Sequence, residues 1–263
     1  MDTGFIKNIV LIGSGNIATS LAVALHSACF NVKQVYSRTL QHAKDLAVLV
    51  AADYTDNPEL VHRDADLYII AVSDNAIEGV LKTFAFAENA IVVHTSGSTP
   101  IDIFRNYVVN YGVLYPLQTF SKSKIISDFK NIPVFIEAGN AEVLNGLQAL
   151  ASRLSHFVYE INSQQRRALH VSAAFACNFV NYLFGVATDI MLDNKLDKNW
   201  LVPLIRETVD KALAANNPHD VQTGPAARGD ELTLKRHIDF LSGDTNKLAV
   251  YKLLSDSILK FKR

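Results

Sequence analysis

The chain has 263 residues, 49% of them hydrophobic, with 25 basic and 26 acidic side chains and a net charge of −1 at pH 7. A chain of this length buries roughly 70–75% of its unfolded surface, enough for one large or two modest domains. The near-neutral charge leaves no electrostatic footprint for nucleic acid. Its two cysteines, Cys29 and Cys177, lie in separate apolar stretches, which gives neither a disulfide framework nor a metal site and fits a reducing cytoplasm.

The first element is the apolar run Lys7 to Ile12, followed at once by Gly13-Ser14-Gly15-Asn16-Ile17-Ala18. Ile6 to Ile12 is too short for the apolar core of a secretory leader. The order is that of a buried strand, a glycine turn and a helix start. A first glycine permits the tight turn, a second lets the backbone approach a pyrophosphate, and the small Ala18 packs the helix on the strand. Amides at the helix start, Asn16 and Ile17 among them, then face the anion. The pattern predicts dinucleotide binding by Gly13, Ser14, Gly15, Asn16 and Ile17.

A helix over Ile17 to Ala28 leads to a strand over Val32 to Tyr36, which ends at Ser37-Arg38-Thr39. NAD-binding folds usually carry an acid at this place, on the ribose 2′-hydroxyl. A guanidinium flanked by hydroxyls binds a 2′-phosphate instead, through charge-assisted hydrogen bonds. Ser37, Arg38 and Thr39 therefore predict NADP, with NADPH preferred over NADH. After a helix over Gln41 to Val50, a strand over Asp66 to Val72 brings Val72, Ser73 and Asn75 to the dinucleotide, with Ser73 or Asp74 capping the next helix. A strand over Ala90 to His94 ends in the hydroxyl-rich Thr95-Ser96-Gly97-Ser98-Thr99-Pro100. Ser96 and the Gly97 amide are expected to hold a substrate carboxylate or carbonyl, although such composition also suits a turn. Short strands over Gly112 to Tyr115, Pro133 to Glu137 and Phe157 to Tyr159, with a helix over Ala141 to Leu154, complete an α/β domain. Tyr115 and Gln118 offer a hydroxyl and an amide to the same cleft, at the carboxyl ends of the strands.

From Ser163 the pattern is helical only. Gln164 to about Leu192 predicts a helix roughly 40 Å long. Trp200 to Ala215, Glu231 to Leu241 and a last helix capped by Asp244 or Thr245 follow, with a loop over Asn216 to Gly229. Ala168 to Thr188 contains no Asp, Glu, Lys or Arg, but His170, Ser172, Asn178 and Asn181 interrupt it. It is expected as a buried helix of a globular domain, not a membrane span. His170, Ala174, Cys177 and Asn181 fall on one stripe of it, with Asn178 beside. His170, expected buried, is the leading general acid, with Asn178 or Asn181 orienting it or the substrate. Arg228, in the constrained loop Thr223 to Asp230, is either an anion clamp on the substrate or a tether between domains, while Asp230 caps a helix. The expected division is a dinucleotide-binding domain over residues 1–160 and a helical substrate and dimerisation domain over residues 161–263.

The run His170-Val171-Ser172-Ala173-Ala174-Phe175-Ala176-Cys177-Asn178-Phe179, with Thr223 to Asp230 and His237, resembles a family that joins a Rossmann-like domain to a helical domain of uncharacterised function and is described as NADP oxidoreductases. The likeness covers nearly the whole chain. The chain is more distantly similar to pyrroline-5-carboxylate reductases, deazaflavin-dependent NADP reductases, prephenate dehydrogenases and β-hydroxyacid dehydrogenases. That relation implies an N-terminal Rossmann domain, a second domain of the 6-phosphogluconate dehydrogenase helical type and a homodimer formed through it. Three departures bear on the chemistry. The lysine that β-hydroxyacid dehydrogenases carry in the long helix is replaced by His170. Their serine-rich substrate loop is matched by Ser96 to Pro100 without its aspartate, since His94 occupies that region. The His-Pro of prephenate dehydrogenases is matched only by Tyr115-Pro116. The expected function is NADP(H)-dependent hydride transfer with a small carbonyl, imine or hydroxy-acid substrate, in the cytoplasm, with no nucleic acid, membrane or metal involved. The alternative is a protein that binds or senses NADP without turnover, since no Lys, Tyr or His-Asp catalytic set is recognisable.

Overall fold

The computed structural model describes residues 6–121 and 123–261, which fall into two compact units, residues 1–177 and 178–263. The first unit runs β1 (Asn8–Ile12), α1 (Asn16–Ser27), β2 (Asn31–Tyr36), α2 (Leu40–Val50), β3 (Asp53–Thr55), β4 (Leu67–Ile70), α3 (Asp74–Thr83), β5 (Ile91–His94), β6 (Tyr111–Pro116), β7 (Val134–Ala138), α4 (Ala141–Leu154), β8 (Val158–Glu160) and α5 (Ser163–Ala173). One sheet takes the strands in the order β3-β2-β1-β4-β5-β6-β7-β8. Every neighbouring pair is parallel except β6 with β7. The order reverses between β1 and β4, which is the switch point where open α/β sheets bind ligands, and the unit is a Rossmann-like α/β fold.

Alternation along β1 explains why both faces are covered. Ile9 and Leu11 point into a core shared with Leu21 and Leu25 of α1 and Leu147 and Leu150 of α4. Val10 and Ile12 enter the opposite core, with Tyr68, Ile70, Ile77 and Phe104. A strand buried on both sides reads as an unbroken apolar run, which is how Ile9 to Ile12 reads. The strand expected from Asp66 starts at Leu67, because the Asp66 carboxylate accepts the Lys7 and Asn8 amides at 2.9 and 2.8 Å and so ties down the start of β1.

α5 opens on a capping box in which Asn162 accepts the Gln165 amide at 2.9 Å and Gln165 accepts the Asn162 amide at 3.0 Å. The long helix departs from the sequence expectation in two ways. Ala174–Phe179 is π-helical before α6 (Val180–Asp193) resumes, so the wider turn carries Cys177 and Asn181 off the expected stripe. Nor is it buried: between Ala168 and Thr188 every residue is exposed or half-buried. The continuous helix Ser163–Asp193 is long and apolar enough to cross a membrane, and an apolar sequence signals a cover without saying whether the same chain provides it.

The second unit continues with α7 (Val202–Ala214), α8 (Pro225–Arg228), α9 (Glu231–Phe240) and α10 (Thr245–Phe261). The segment expected as a plain loop holds α8 and a 3₁₀ turn at Pro218–Val221. Asp230 caps α9 by accepting the Thr233 amide at 3.1 Å, and Asp244 accepts the Asn246 and Lys247 amides at 3.1 and 2.9 Å at the start of α10. Inside this unit only Ala226 and Leu241 are buried among the described residues.

Candidate functional site

The glycine turn after β1 is fixed by sterics. Gly13 has φ +125°, and a Cβ there would lie 2.2 Å from the Ala71 carbonyl oxygen, so no side chain fits. Its amide donates to the Tyr36 carbonyl at 2.8 Å, which joins the end of β1 to the end of β2. Gly15 is the opposite case: nothing lies within 4 Å of a Cβ built on it. It occupies the N-cap of α1 with no side-chain cap and no acid in the first turn, so the leading amides are open to an anion. The Ser14 and Ser37 hydroxyls meet at 2.7 Å across the turn.

Around this turn lies a cleft of about 950 Å³. Gly13, Ser14, Gly15, Asn16, Ile17, Ser37, Arg38, Thr39, Val72 and Ser73 all line it, while Asn75 does not and is exposed on α3. The Asn16 side chain donates to the Phe120 carbonyl at 3.2 Å, which brings Phe120 into the wall. His42, not singled out from the sequence, lines the cleft too. No Asp or Glu does. Open amides, an uncapped helix and a guanidinium, with no acid, fit a phosphate-bearing dinucleotide.

A second cluster gathers at the ends of β5 and β6 and on α5. The Tyr115 hydroxyl lies 3.0 Å from Nδ1 of His170. His170, expected buried, is exposed, because the helix that carries it is uncovered on its outer side. Its ring lies against Gly97, where a Cβ would come within 2.5 Å of Nδ1. Gly97 is thus required for α5 to approach the loop so closely. Tyr115 is buried, and burial raises its phenol pKa, an effect that Arg166 partly opposes.

Ser96 is buried and its hydroxyl is taken up by the turn: it donates to Thr99 Oγ1 at 3.0 Å and accepts the Ser98 and Thr99 amides at 3.1 and 2.9 Å. The loop is held from below by Arg166, which is 1% exposed. Its guanidinium pairs with Glu137 and donates to the carbonyls of Ser96, at 3.2 Å, and Thr99. Glu137 in turn accepts the Ser163 amide and hydroxyl, each at 2.9 Å. Beneath the loop, His94 is fully buried with its ring stacked on Phe104. Desolvation, with help from Arg166, pushes its pKa down to about 3. The Ser96 amide donates to its Nδ1 at 3.2 Å, which leaves the proton on Nε2.

Ser73 holds the N-cap of α3 without a side-chain bond, and Asp74 accepts the Ser98 hydroxyl. Gln118 is exposed and accepts the Thr119 amide at 2.8 Å. Asn178, Asn181 and Arg228 lie in the second unit, all exposed. Arg166 and Glu137 carried no sequence signal, since an Arg-Arg pair early in a helix looks like any solvated face.

Comparison with known proteins supports this reading. Residues 8–97 match the family model described as NADP oxidoreductase coenzyme F420-dependent, and residues 132–258 match a domain of unknown function (DUF2520). A Bacteroides fragilis protein described as a putative NADP oxidoreductase is 42% identical, with 97% of this chain and 98% of that one aligned and a TM-score of 0.89. The chain belongs to this NADP oxidoreductase family. Two other solved structures share the fold of the family at low identity. A Plasmodium falciparum pyrroline carboxylate reductase with NADP bound is 14% identical over 97% of this chain and 98% of its own, with a TM-score of 0.61. A reductive aminase from Aspergillus terreus in complex with NADPH and ethyl-5-oxohexanoate is 12% identical over 98% of this chain and 96% of its own, with a TM-score of 0.72. No curated protein matches.

Proposed function

We propose that this NADP oxidoreductase is a reductase that prefers NADPH to NADH and acts on a small carbonyl or imine compound. The observation that carries the reading is a cleft lined by no acid among the described residues, with the steric requirement for glycine at Gly13, open space over Gly15 and Arg38 at the end of β2. NADPH, when bound, supplies the hydride. Amides of Gly15, Asn16 and Ile17 hold the pyrophosphate, and Ser37, Arg38 and Thr39 take the 2′-phosphate. His170 provides the proton to the substrate oxygen or nitrogen, and Tyr115 orients its imidazole through the 3.0 Å contact. Gly97 contributes its amide to the substrate carbonyl, on a loop held rigid by Arg166 and Glu137. Among proteins of similar fold, a pyrroline carboxylate reductase with NADP bound, a reductive aminase in complex with NADPH and an imine reductase in complex with NADP⁺ support this choice.

Residues 1–160 serve as the cofactor domain and residues 161–263 as a substrate and dimerisation domain of the 6-phosphogluconate dehydrogenase helical type. The exposed surface supports a homodimer. Apolar side chains exposed on its helices, Trp200, Leu213 and Leu253 among them, are of the kind that association covers. The cofactor and the two unpaired cysteines support a cytoplasmic location.

The test pairs binding with turnover. Arg38→Ala should weaken NADPH by roughly 1.5–3 kcal/mol, the range for hydrogen bonds to charged groups, and leave NADH nearly unchanged. Equal losses for both cofactors would remove the NADPH preference. Wild-type protein should consume NADPH with members of a panel of small oxo and imino acids, and silence across that panel counts against a reductase.

A further inference from the structure

The turn after β5 leaves one backbone donor unused. The Thr95 amide donates to the Ile70 carbonyl at 3.2 Å, the Ser96 amide to Nδ1 of His94 at 3.2 Å, the Ser98 and Thr99 amides to the Ser96 hydroxyl at 3.1 and 2.9 Å, and the Ile101 amide to the Ser163 hydroxyl at 3.0 Å. Pro100 has no N–H. In this stretch only the Gly97 amide donates to nothing among the described residues, and Gly97 is buried. A buried N–H without an acceptor is rare and costly. This one lies on the glycine that His170 touches. Its peptide group is also polarised from the other end, because the carbonyl of that peptide, which belongs to Ser96, accepts Nε of the buried Arg166 at 3.2 Å. A cation on the carbonyl oxygen makes the N–H of the same peptide a stronger donor. Two acids lie nearby: Glu137 pairs with Arg166, and Asp74 accepts the Ser98 hydroxyl. Burial raises the Tyr115 phenol pKa most, and after it Arg166 lowers that pKa by more than Asp74 raises it, so the guanidinium outweighs the Asp74 carboxylate at that hydroxyl.

Resting on the reductase reading above, we propose that the Ser96–Gly97 peptide, polarised by Arg166, is built to hold an oxygen that becomes negative, and that the substrate is therefore an oxo compound and not an imine. The carbonyl carbon takes the hydride that NADPH supplies, the C=O π pair moves onto oxygen, and the resulting alkoxide takes a proton from His170. The carbonyl is reduced to an alcohol and NADPH is oxidised to NADP⁺. The Gly97 N–H binds more strongly as that oxygen gains charge, which favours the transition state over the ground state. An imine is reduced as its iminium cation. Its N–H is itself a donor, so it offers Gly97 no acceptor, and the guanidinium behind the peptide opposes its charge.

Turnover and spectroscopy of the full chain test this together. In steady-state NADPH consumption, small 2-oxo acids should exceed cyclic imines by about 100-fold or more in kcat/KM. In ¹⁵N–¹H spectra with NADP⁺ present, oxamate, an unreactive mimic of a 2-oxo acid, should shift the Gly97 amide to lower field. Arg166→Met combined with Glu137→Leu removes the buried pair without stranding a charge. This double variant should keep its NADPH affinity, lose at least about tenfold in kcat for 2-oxo acids with KM little changed, and show a smaller oxamate shift. Any imine turnover should be spared, whereas loss of rigidity alone would lower both classes alike. Arg166→Lys keeps the charge and should recover part of the lost rate. The substrate ratio and the oxamate shift are read on wild type, so they decide the matter even if the double variant does not fold. Imines reduced faster than 2-oxo acids, equal losses for the two classes, or a Gly97 amide indifferent to oxamate overturns the proposal. If imines are reduced and 2-oxo acids are not, only this inference falls. If neither class consumes NADPH, the reductase reading falls with it.

Discussion

The two units of the chain use apolar residues in opposite ways. In the first, Leu11, Ile69 and Val93 on three neighbouring strands are fully covered, because helices lie on both faces of the sheet. In the second, Trp200, Leu213 and Leu253 are 67%, 81% and 68% exposed, and only Ala226 and Leu241 are buried among the described residues. A sheet clad on both faces closes its own core. Exposed apolar side chains in this number mark an interaction surface. The contrast teaches that the cofactor cleft sits on a self-contained core while the helices leave apolar side chains uncovered, so under the proposed homodimer cofactor binding and self-association should separate under mutation.

Acid offers the largest separation, because the most strongly perturbed group lies in the first unit. His94 stays neutral when folded down to about pH 3, whereas an unfolded histidine titrates near 6.5. The unfolded chain therefore takes the proton first. The stability this contributes is complete above about pH 6.5 and is lost as pH falls toward 3, by roughly 3–5 kcal/mol in all. Urea midpoints measured against pH should show that slope in wild type and a flatter one in His94→Gln, and equal slopes would contradict the burial.

Gly13→Ala comes next. A methyl group 2.2 Å from the Ala71 oxygen at φ +125° should cost about 3 kcal/mol and abolish NADPH binding. Thermal melts of the variant with and without NADPH check both, and a variant that melts and binds like wild type would break the account of the turn. The smallest effect is aimed at the other region. Val209 and Leu213 are one turn apart on α7 and both exposed. The double change Val209→Glu with Leu213→Glu should weaken self-association by about 2 kcal/mol or more and leave NADPH affinity intact. Sedimentation and calorimetry on one preparation decide it. Unchanged association would show that this face of α7 is not the interface, and lost NADPH binding would show that the two regions are not separable.

What the sequence made legible follows the same division. The strand, glycine turn and helix from Asn8 to Ser27 were readable because one local stretch holds both the apolar alternation and the two glycines that the backbone requires. Arg38 was readable as a cation where an acid is usual. The support under the Ser96 loop was not, since Arg166 and Glu137 meet the loop across sequence separations such as the 70 residues between Arg166 and Ser96, and neither announces its burial locally. The π-helical Ala174–Phe179 was hidden as well, because a nearly uniform apolar run looks the same wound in either way. The long helix read as buried because composition measures the need for cover and not its source. Ser96 read as a ligand because a hydroxyl closing a turn and one awaiting a substrate have the same sequence.

A crystal structure of the protein soaked with NADPH tests the central claim most directly. The account predicts the pyrophosphate against the amides of Gly15 to Ile17, with the adenosine 2′-phosphate within hydrogen-bond distance of Arg38. A nucleotide seated elsewhere, or one whose 2′-phosphate points into solvent away from that guanidinium, would contradict it.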